Sequence, residues 1–388
     1  MGVLVARAAG VRRVRSARPS ISVVCVALLV AACAAPTPSL SPSAAPASTT
    51  TPAASAVRPT PAAGVTPIPS TSPSFAPTGR VIARVPLPST PLGPLWITVA
   101  DGAPWIALGG DPQGTVERID PESGRVTDRV VVGWAPGSIA ASGTSLWVSN
   151  TDGDGSLPHS PYLNTVQRID TTSARILETV PVVLPGQIVA DASGAWVISA
   201  RHTLVHVSLA GQITGSVALA AGPPTLDLPI SIALAGGRIW IALAHGGFGS
   251  ATLEAIDPAT LKVVLMVAVP QGLGWLVPTP AALYGAVVTG SSSFPWIRIE
   301  LQTGQPTTLG MLPVRPAQFE GVAVTSDGAW LLDGSSEANF GEVIPFDPAT
   351  GEQAGAAVMP PNGGGSSMIA IGNDVWVLGA RELDEIRF

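Results

Sequence analysis

Among 388 residues there is one lysine, Lys262, and there are two cysteines, while charged side chains make up only 12% of the chain. An ordinary globular domain carries roughly 25%. Two cysteines exclude a disulfide-stapled scaffold. With so few basic residues and a net charge of −6, the chain lacks the clustered cations that phosphate backbones require, and no nucleic-acid partner is expected. Long hydrophobic runs are missing too. A mean hydropathy of +0.41 would suit a membrane protein. Yet after residue 33 each apolar stretch is broken within about ten residues by Gly, Pro or a charge, well short of the ~18–20 that a spanning helix needs. What the chain has in abundance is turn chemistry. Its 42 Gly and 39 Pro argue against a helical bundle and leave an all-β domain.

The first 76 residues read as an address and a spacer. Arg7, Arg12, Arg13, Arg15 and Arg18 precede the apolar run Ile21–Ala32 and then Cys33. That run suits a signal-peptide core (residues 1–32). Leu29-Val30-Ala31-Ala32-Cys33 resembles a bacterial lipobox, in which small residues precede a cysteine that becomes lipidated. Cleavage before Cys33 removes five arginines and no acids, taking the net charge from −6 to −11. A multiply acylated cysteine holds a protein to a membrane at about 0.8 kcal/mol per buried CH₂, so the expected location is the extracytoplasmic face of the cell membrane. Residues 33–76 are almost wholly Ala, Pro, Ser and Thr, with Arg58 as their one charge. So few large apolar side chains cannot offset ordering entropy, and the segment reads as a disordered stalk.

From residue 77 the chain repeats. An aromatic flanked by apolar residues recurs at Trp105, Trp147, Trp196, Trp240, Tyr284, Trp330 and Trp376, with spacings of 42, 49, 44, 44, 46 and 46 residues. That period is one four-stranded propeller blade. A second motif follows the aromatics, degenerate in the third unit (His206-Val207-Ser208) and the fifth (Arg298-Ile299-Glu300). It reads Arg118-Ile119-Asp120-Pro121-Glu122-Ser123-Gly124 in the first unit, Arg168-Ile169-Asp170 in the second, Ile256-Asp257-Pro258 in the fourth and Phe346-Asp347-Pro348-Ala349-Thr350-Gly351 in the sixth. Asp accepts backbone hydrogen bonds, Pro presets φ and Gly takes a positive φ, so each is a tight turn between strands. The last unit stops at Phe388 without its turn and outer strand, and a matching piece, Pro77-Thr78-Gly79-Arg80-Val81, stands at the other end. The expectation is a seven-bladed β-propeller of four-stranded blades, closed by strand 79–87 pairing with a C-terminal blade at 368–388.

The pairing of Gly-x-x-Trp-Val with Arg-Ile-Asp-Pro-x-Thr-Gly resembles the bacterial YVTN and streptogramin-lyase-like (virginiamycin B lyase-like) seven-bladed propellers, over about residues 79–388. Through its lyase members the resemblance implies a His/Glu acid–base pair with a divalent ion, Ca²⁺ or Mg²⁺, on the loop face. The candidates are His202 or His245 with Glu320 or Glu337. No local motif fixes that match, and the docking repeat of quinone-cofactor propellers is absent.

In a propeller, the loops joining second to third strands, and those joining blades, gather on one face. Residues placed there that the repeat does not explain are candidates for ligand contact: Trp134, His159, Tyr162, Phe248, Trp275, Arg315, Phe319 and Phe340. Asn150, Asp152 and Asp154 alternate around a turn glycine as at the start of a calcium loop, although Pro161 stands where a bidentate Glu belongs. The functional expectation is a module that binds an extracytoplasmic protein, glycan or peptide through its loop face and touches the membrane through lipid alone. The alternative is a metal-assisted lyase or hydrolase on that face.

Overall fold

Alternating apolar runs of five to eight residues, closed by Gly or Asp-Pro turns, fold as antiparallel strands. The computed structural model describes residues 79–89, 93–110, 113–151, 162–200, 202–220, 228–245, 250–269, 272–288, 294–314, 319–334, 341–360 and 365–388. All belong to a compact unit spanning Pro69–Phe388. The strands form seven sheets. Their innermost strands are Gly93–Ala100, Pro136–Ser142, Pro185–Asp191, Leu228–Ala235, Gly272–Pro278, Phe319–Val324 and Gly365–Ile371, which define blades one to seven. Each innermost strand contacts that of the next blade, and the seventh contacts the first. The architecture is therefore a seven-bladed β-propeller.

Blade seven is built from both ends of the domain. Its sheet runs outward from Gly365–Ile371 through Asp374–Gly379 and Glu382–Arg387 to Arg80–Pro86. Arg80 pairs with Arg387 and Val85 with Leu383. A bulge between Val81 and Ala83 places the two valines on opposite faces. Val81 packs into the seam with blade six, and Val85 and Leu87 into the seam with blade one.

Blade six departs from the four-stranded expectation. It has three regular strands, and isolated bridges Val343–Val358 and Phe346–Gln353 stand in for the outer one. The reason lies in Glu352–Val358, where Gly355 and three alanines offer little side chain to bury against a neighbour.

The core consists of seven apolar clusters, one in each seam between neighbouring blades. Six of the repeat aromatics, Trp105, Trp147, Trp196, Trp240, Trp330 and Trp376, are buried there. Blade five is different. Tyr284 is half-buried and stacks on Trp296, a residue of the third strand that takes the buried place. Trp296 also donates its indole N–H to the Pro348 carbonyl of blade six.

The Asp turns form as their chemistry requires. Asp120 Oδ1 accepts the backbone N–H of Glu122 and Ser123, and Gly124 follows at φ 62°. The hydrogen bond from the Ser123 N–H, foremost among these contacts, holds the Asp120 carboxyl below its ordinary range.

Candidate functional site

The chain runs outward through each blade, so the loops between second and third strands emerge on the same face as the connections between blades. Every innermost strand starts from that face and carries a bulge near its start. Residues beside the bulges stand around the mouth of the ring. Trp96 of blade one and Trp275 of blade five occupy equivalent bulge positions, and Glu320 is the bulged residue of blade six. Trp96 is 38% exposed. Sequence does not single it out, because a tryptophan inside an apolar strand reads as core.

Of the sequence candidates, Trp134, Tyr162 and Trp275 are half-buried on the loop side. Phe319 differs from expectation: it is buried in the seam between blades five and six, edge-on to Trp275 at 4.4 Å. Its ring packs the core and holds Trp275 in place. Asn150 is buried as well. Its Oδ1 accepts the Gly133 N–H at 2.9 Å, and its amide donates to Gln167 Oε1 at 2.9 Å and Thr165 Oγ1 at 3.3 Å. That side chain ties blade one to blade two, and its oxygen is already engaged. Cys33, Asp152, Asp154, His159, Phe248, Arg315, Glu337 and Phe340 lie outside the described residues.

His202 is exposed in the turn before strand Thr203–Ser208. His245 ends strand Arg238–His245, with Nε2 2.6 Å from Thr252 Oγ1. No hydrogen bond or ion pair among those described joins either histidine to Glu320. The carboxylate that senses His245 is Glu254, in the same blade. Glu320 lies across the backbone of Gly334, and this partial desolvation pushes its carboxyl up. Among the described residues, no group of three His, Cys, Asp or Glu is placed to hold a metal ion.

The structure adds a tier of buried polar side chains that sequence reasoning missed. Glu117, Gln167, Glu254 and Asp384 occupy the same place in the third strands of blades one, two, four and seven, each paired with the residue after the repeat Trp. Glu117 meets Arg129 at 2.7 Å, and Glu254 accepts the Ala220 N–H across the seam at 2.9 Å. One oxygen of each, Oε2, has no hydrogen-bond partner among the described residues. Desolvation pushes Glu254 up, opposed by the Ala220 hydrogen bond and by His245.

Asp384 ties this tier to pH-dependent stability. Burial, reinforced by the nearby Glu382 charge and only partly opposed by Arg84, pushes its pKa up to about 6. The folded state therefore binds this proton more tightly than the unfolded chain, where the value is 3.8. Its contribution to stability is complete below pH 3.8 and is lost as pH rises through 6. Asp384→Asn should abolish that loss and stabilise the domain at pH 7 by at most about 3 kcal/mol. Urea unfolding will show a gain that shrinks toward pH 4; a variant less stable than the wild type at pH 7 contradicts this reading.

On the opposite face, His206 stacks on Trp196 at 4.2 Å. Its ring nitrogens meet Ser193 Oγ at 3.0 Å and Thr214 Oγ1 at 2.5 Å. Burial pushes His206 down, against the pull of Asp191. Asp191 accepts the Trp196 indole N–H and the Ser193 hydroxyl, and these bonds outweigh burial to hold its carboxyl low. The network caps the Trp196 edge with paired polar groups.

No protein-family model matches this chain, and no curated protein does. Among solved structures, the propeller domain of Myceliophteria thermophila Cps50 (Swd1) aligns with a TM-score of 0.60 at 12% identity, over 78% of this chain and 99% of that one. Hydrazine synthase of Kuenenia stuttgartiensis aligns at 0.57 and 16% identity, over 76% and 96%. BamB from Moraxella catarrhalis aligns at 0.53 and 12% identity, over 80% and 100%. At these identities the likeness is one of fold, and it supports the propeller independently of the repeat.

Proposed function

We propose that this protein is a lipid-anchored propeller that binds a protein partner on the outer side of the cell membrane. The observation that carries the binding half is the mouth of the ring. Trp96 and Trp275 stand at matching bulges, with Glu320 at the bulge of blade six and half-buried Trp134 and Tyr162 on the same loop side. Aromatic side chains bury a large area at low entropic cost, and the rigid strands beneath hold them in position. The anchoring half rests on the lipobox-like residues Leu29–Cys33 and the Ala/Pro/Ser/Thr segment after them.

Two measurements test the two halves separately. A photo-reactive residue at Trp96 should give protein adducts in whole cells, whereas one at Ser123, in a turn on the opposite face, should not. Adducts from Ser123 alone would refute loop-face binding. Cys33→Ala should move the protein from the membrane fraction to the soluble extracytoplasmic fraction. If it stays with the membrane, the anchor lies elsewhere.

A further inference from the structure

A propeller leaves one strand edge open on the rim of every blade, and most rim strands here carry a feature that discourages pairing. Arg80–Pro86 and Arg175–Pro181 end on proline, which lacks a backbone donor. A two-fold antiparallel pairing about the midpoint of Arg175–Pro181 sets Glu178 against its own copy. The same operation on Arg125–Val131 opposes two Asp128 carboxylates. Ile213–Ala218 is interrupted by Gly215, and Pro306–Met311 has Gly310 and a leading proline.

Blade four has fewer of these features: its rim strand contains no proline, glycine or acid, although Lys262 leads it, Val264 is bulged out of the pairing with the third strand, and Pro270 follows it in sequence. Its rim strand, Lys262–Val269, reads Lys-Val-Val-Leu-Met-Val-Ala-Val, and at eight residues it is the longest of the regular rim strands. Val264, Met266 and Ala268 are exposed, Val264 by 43% and Met266 by 59%. Val263, Leu265 and Val267 between them are half-buried. Topology leaves the outer side of this strand with no neighbour in its own sheet. An exposed, apolar strand edge without proline, glycine or acid is a template for another strand.

We propose that this edge pairs with the same edge of a second copy, giving a two-fold dimer with an eight-stranded sheet continuous across the interface. Self-complementarity selects this occupant. Antiparallel pairing about Met266 sets Met266 against Met266, Val264 against Ala268 and Leu265 against Val267, so each of these cross-strand neighbours is apolar. Lys262, the only lysine in the chain, falls at opposite ends of the interface in the two copies, where about 3.4 Å of rise per residue keeps the like charges far apart. A symmetric interface must bring each patch against itself, and pairing about Met266 does so here with no like charges opposed near the axis.

The test is sedimentation equilibrium of the detergent-solubilised full chain. The wild type should show a concentration-dependent dimer. Met266→Lys, which brings two ammonium groups together at the two-fold axis, should weaken dimerisation at least ten-fold, while Leu177→Lys on the rim of blade two should leave it unchanged. Met266→Cys should give a disulfide-linked dimer under mild oxidation in a Cys33→Ser background, because the two positions face one another. A wild type that stays monomeric at about 100 µM overturns the proposal, as does a Met266→Lys protein that dimerises like the wild type, or equal weakening by Leu177→Lys.

Discussion

A chain that begins at residue 90 instead of 79 will not unfold as one cooperative unit, although it loses only one strand from the rim. The removed segment carries Val85 and Leu87, 2% and 8% exposed, and partly buried Val81. Burying side chains of this kind contributes about 1.5–3 kcal/mol each. Their combined loss is comparable with the roughly 5–15 kcal/mol that holds a domain folded. The damage reaches two seams, because the bulge between Val81 and Ala83 sends the valines to opposite sides of the blade. It also strips the pairing from Glu382–Arg387, leaving a bare edge beside Ile386 and Leu383. Thermal unfolding of the truncated domain should be broad and shifted down by more than about 10 °C, with aggregation above the transition. A sharp transition within a few degrees of that of residues 79–388 would show that the ring does not need this strand.

Gly194→Ala should be nearly as damaging. Gly194 adopts φ +148°, a region that L residues rarely enter. It starts the second strand of blade three and pairs with Ser208. A methyl group there would be driven into the Val207 carbonyl oxygen and to 3.0 Å from Ser208 Cα, both of them backbone atoms of the adjacent strand. Neither the torsion nor the ladder can relax without parting the strands, so we expect a cost of about 3–5 kcal/mol. Gly143→Ala is the control. Gly143 turns at φ +54° in the corresponding hairpin of blade two, where an added methyl would meet nothing within 4 Å, and the change should cost only about 1 kcal/mol. Urea denaturation of the pair separates steric conflict from backbone strain. Equal losses would mean that the Gly194 contact is relieved elsewhere.

The architecture was legible because most blades spend their most distinctive residues on the same two tasks. A Trp fills the seam, and in blades one, two, four and six an Asp-led turn joins the third and outer strands. Closure was legible because the turn and strand missing after Phe388 reappear at Gly79–Val85. Position within a blade was harder to read where one residue substitutes for another across strands. Trp296 fills the seam in place of Tyr284, a swap that repeat spacing cannot register. Phe319 looked like a loop aromatic because it opens an innermost strand, yet its ring turns into the seam. Glu117 and Gln167 stand immediately before Arg118-Ile119-Asp120 and Arg168-Ile169-Asp170, at inward positions where alternation calls for apolar residues. A polar residue at that fixed offset was the available signal. Its partners, Arg129 for one and Asn150 for the other, come from different strands and became evident only in the assembled sheet.

Turns take many of the acids, as at Asp120, Asp170, Asp257 and Asp347. The acids buried among the described residues are Glu117 beside Arg129, Asp384 near Arg84, and Glu254, Asp333 and Glu385.

Amide hydrogen exchange over Arg80–Pro86 tests the closed ring most directly. The inward-bonded amides of this strand should exchange only through global unfolding, as slowly as those of Ile239–Leu243 in the middle of blade four. Exchange of the whole segment within seconds, with Ile239–Leu243 still protected, would contradict the closure on which the account rests.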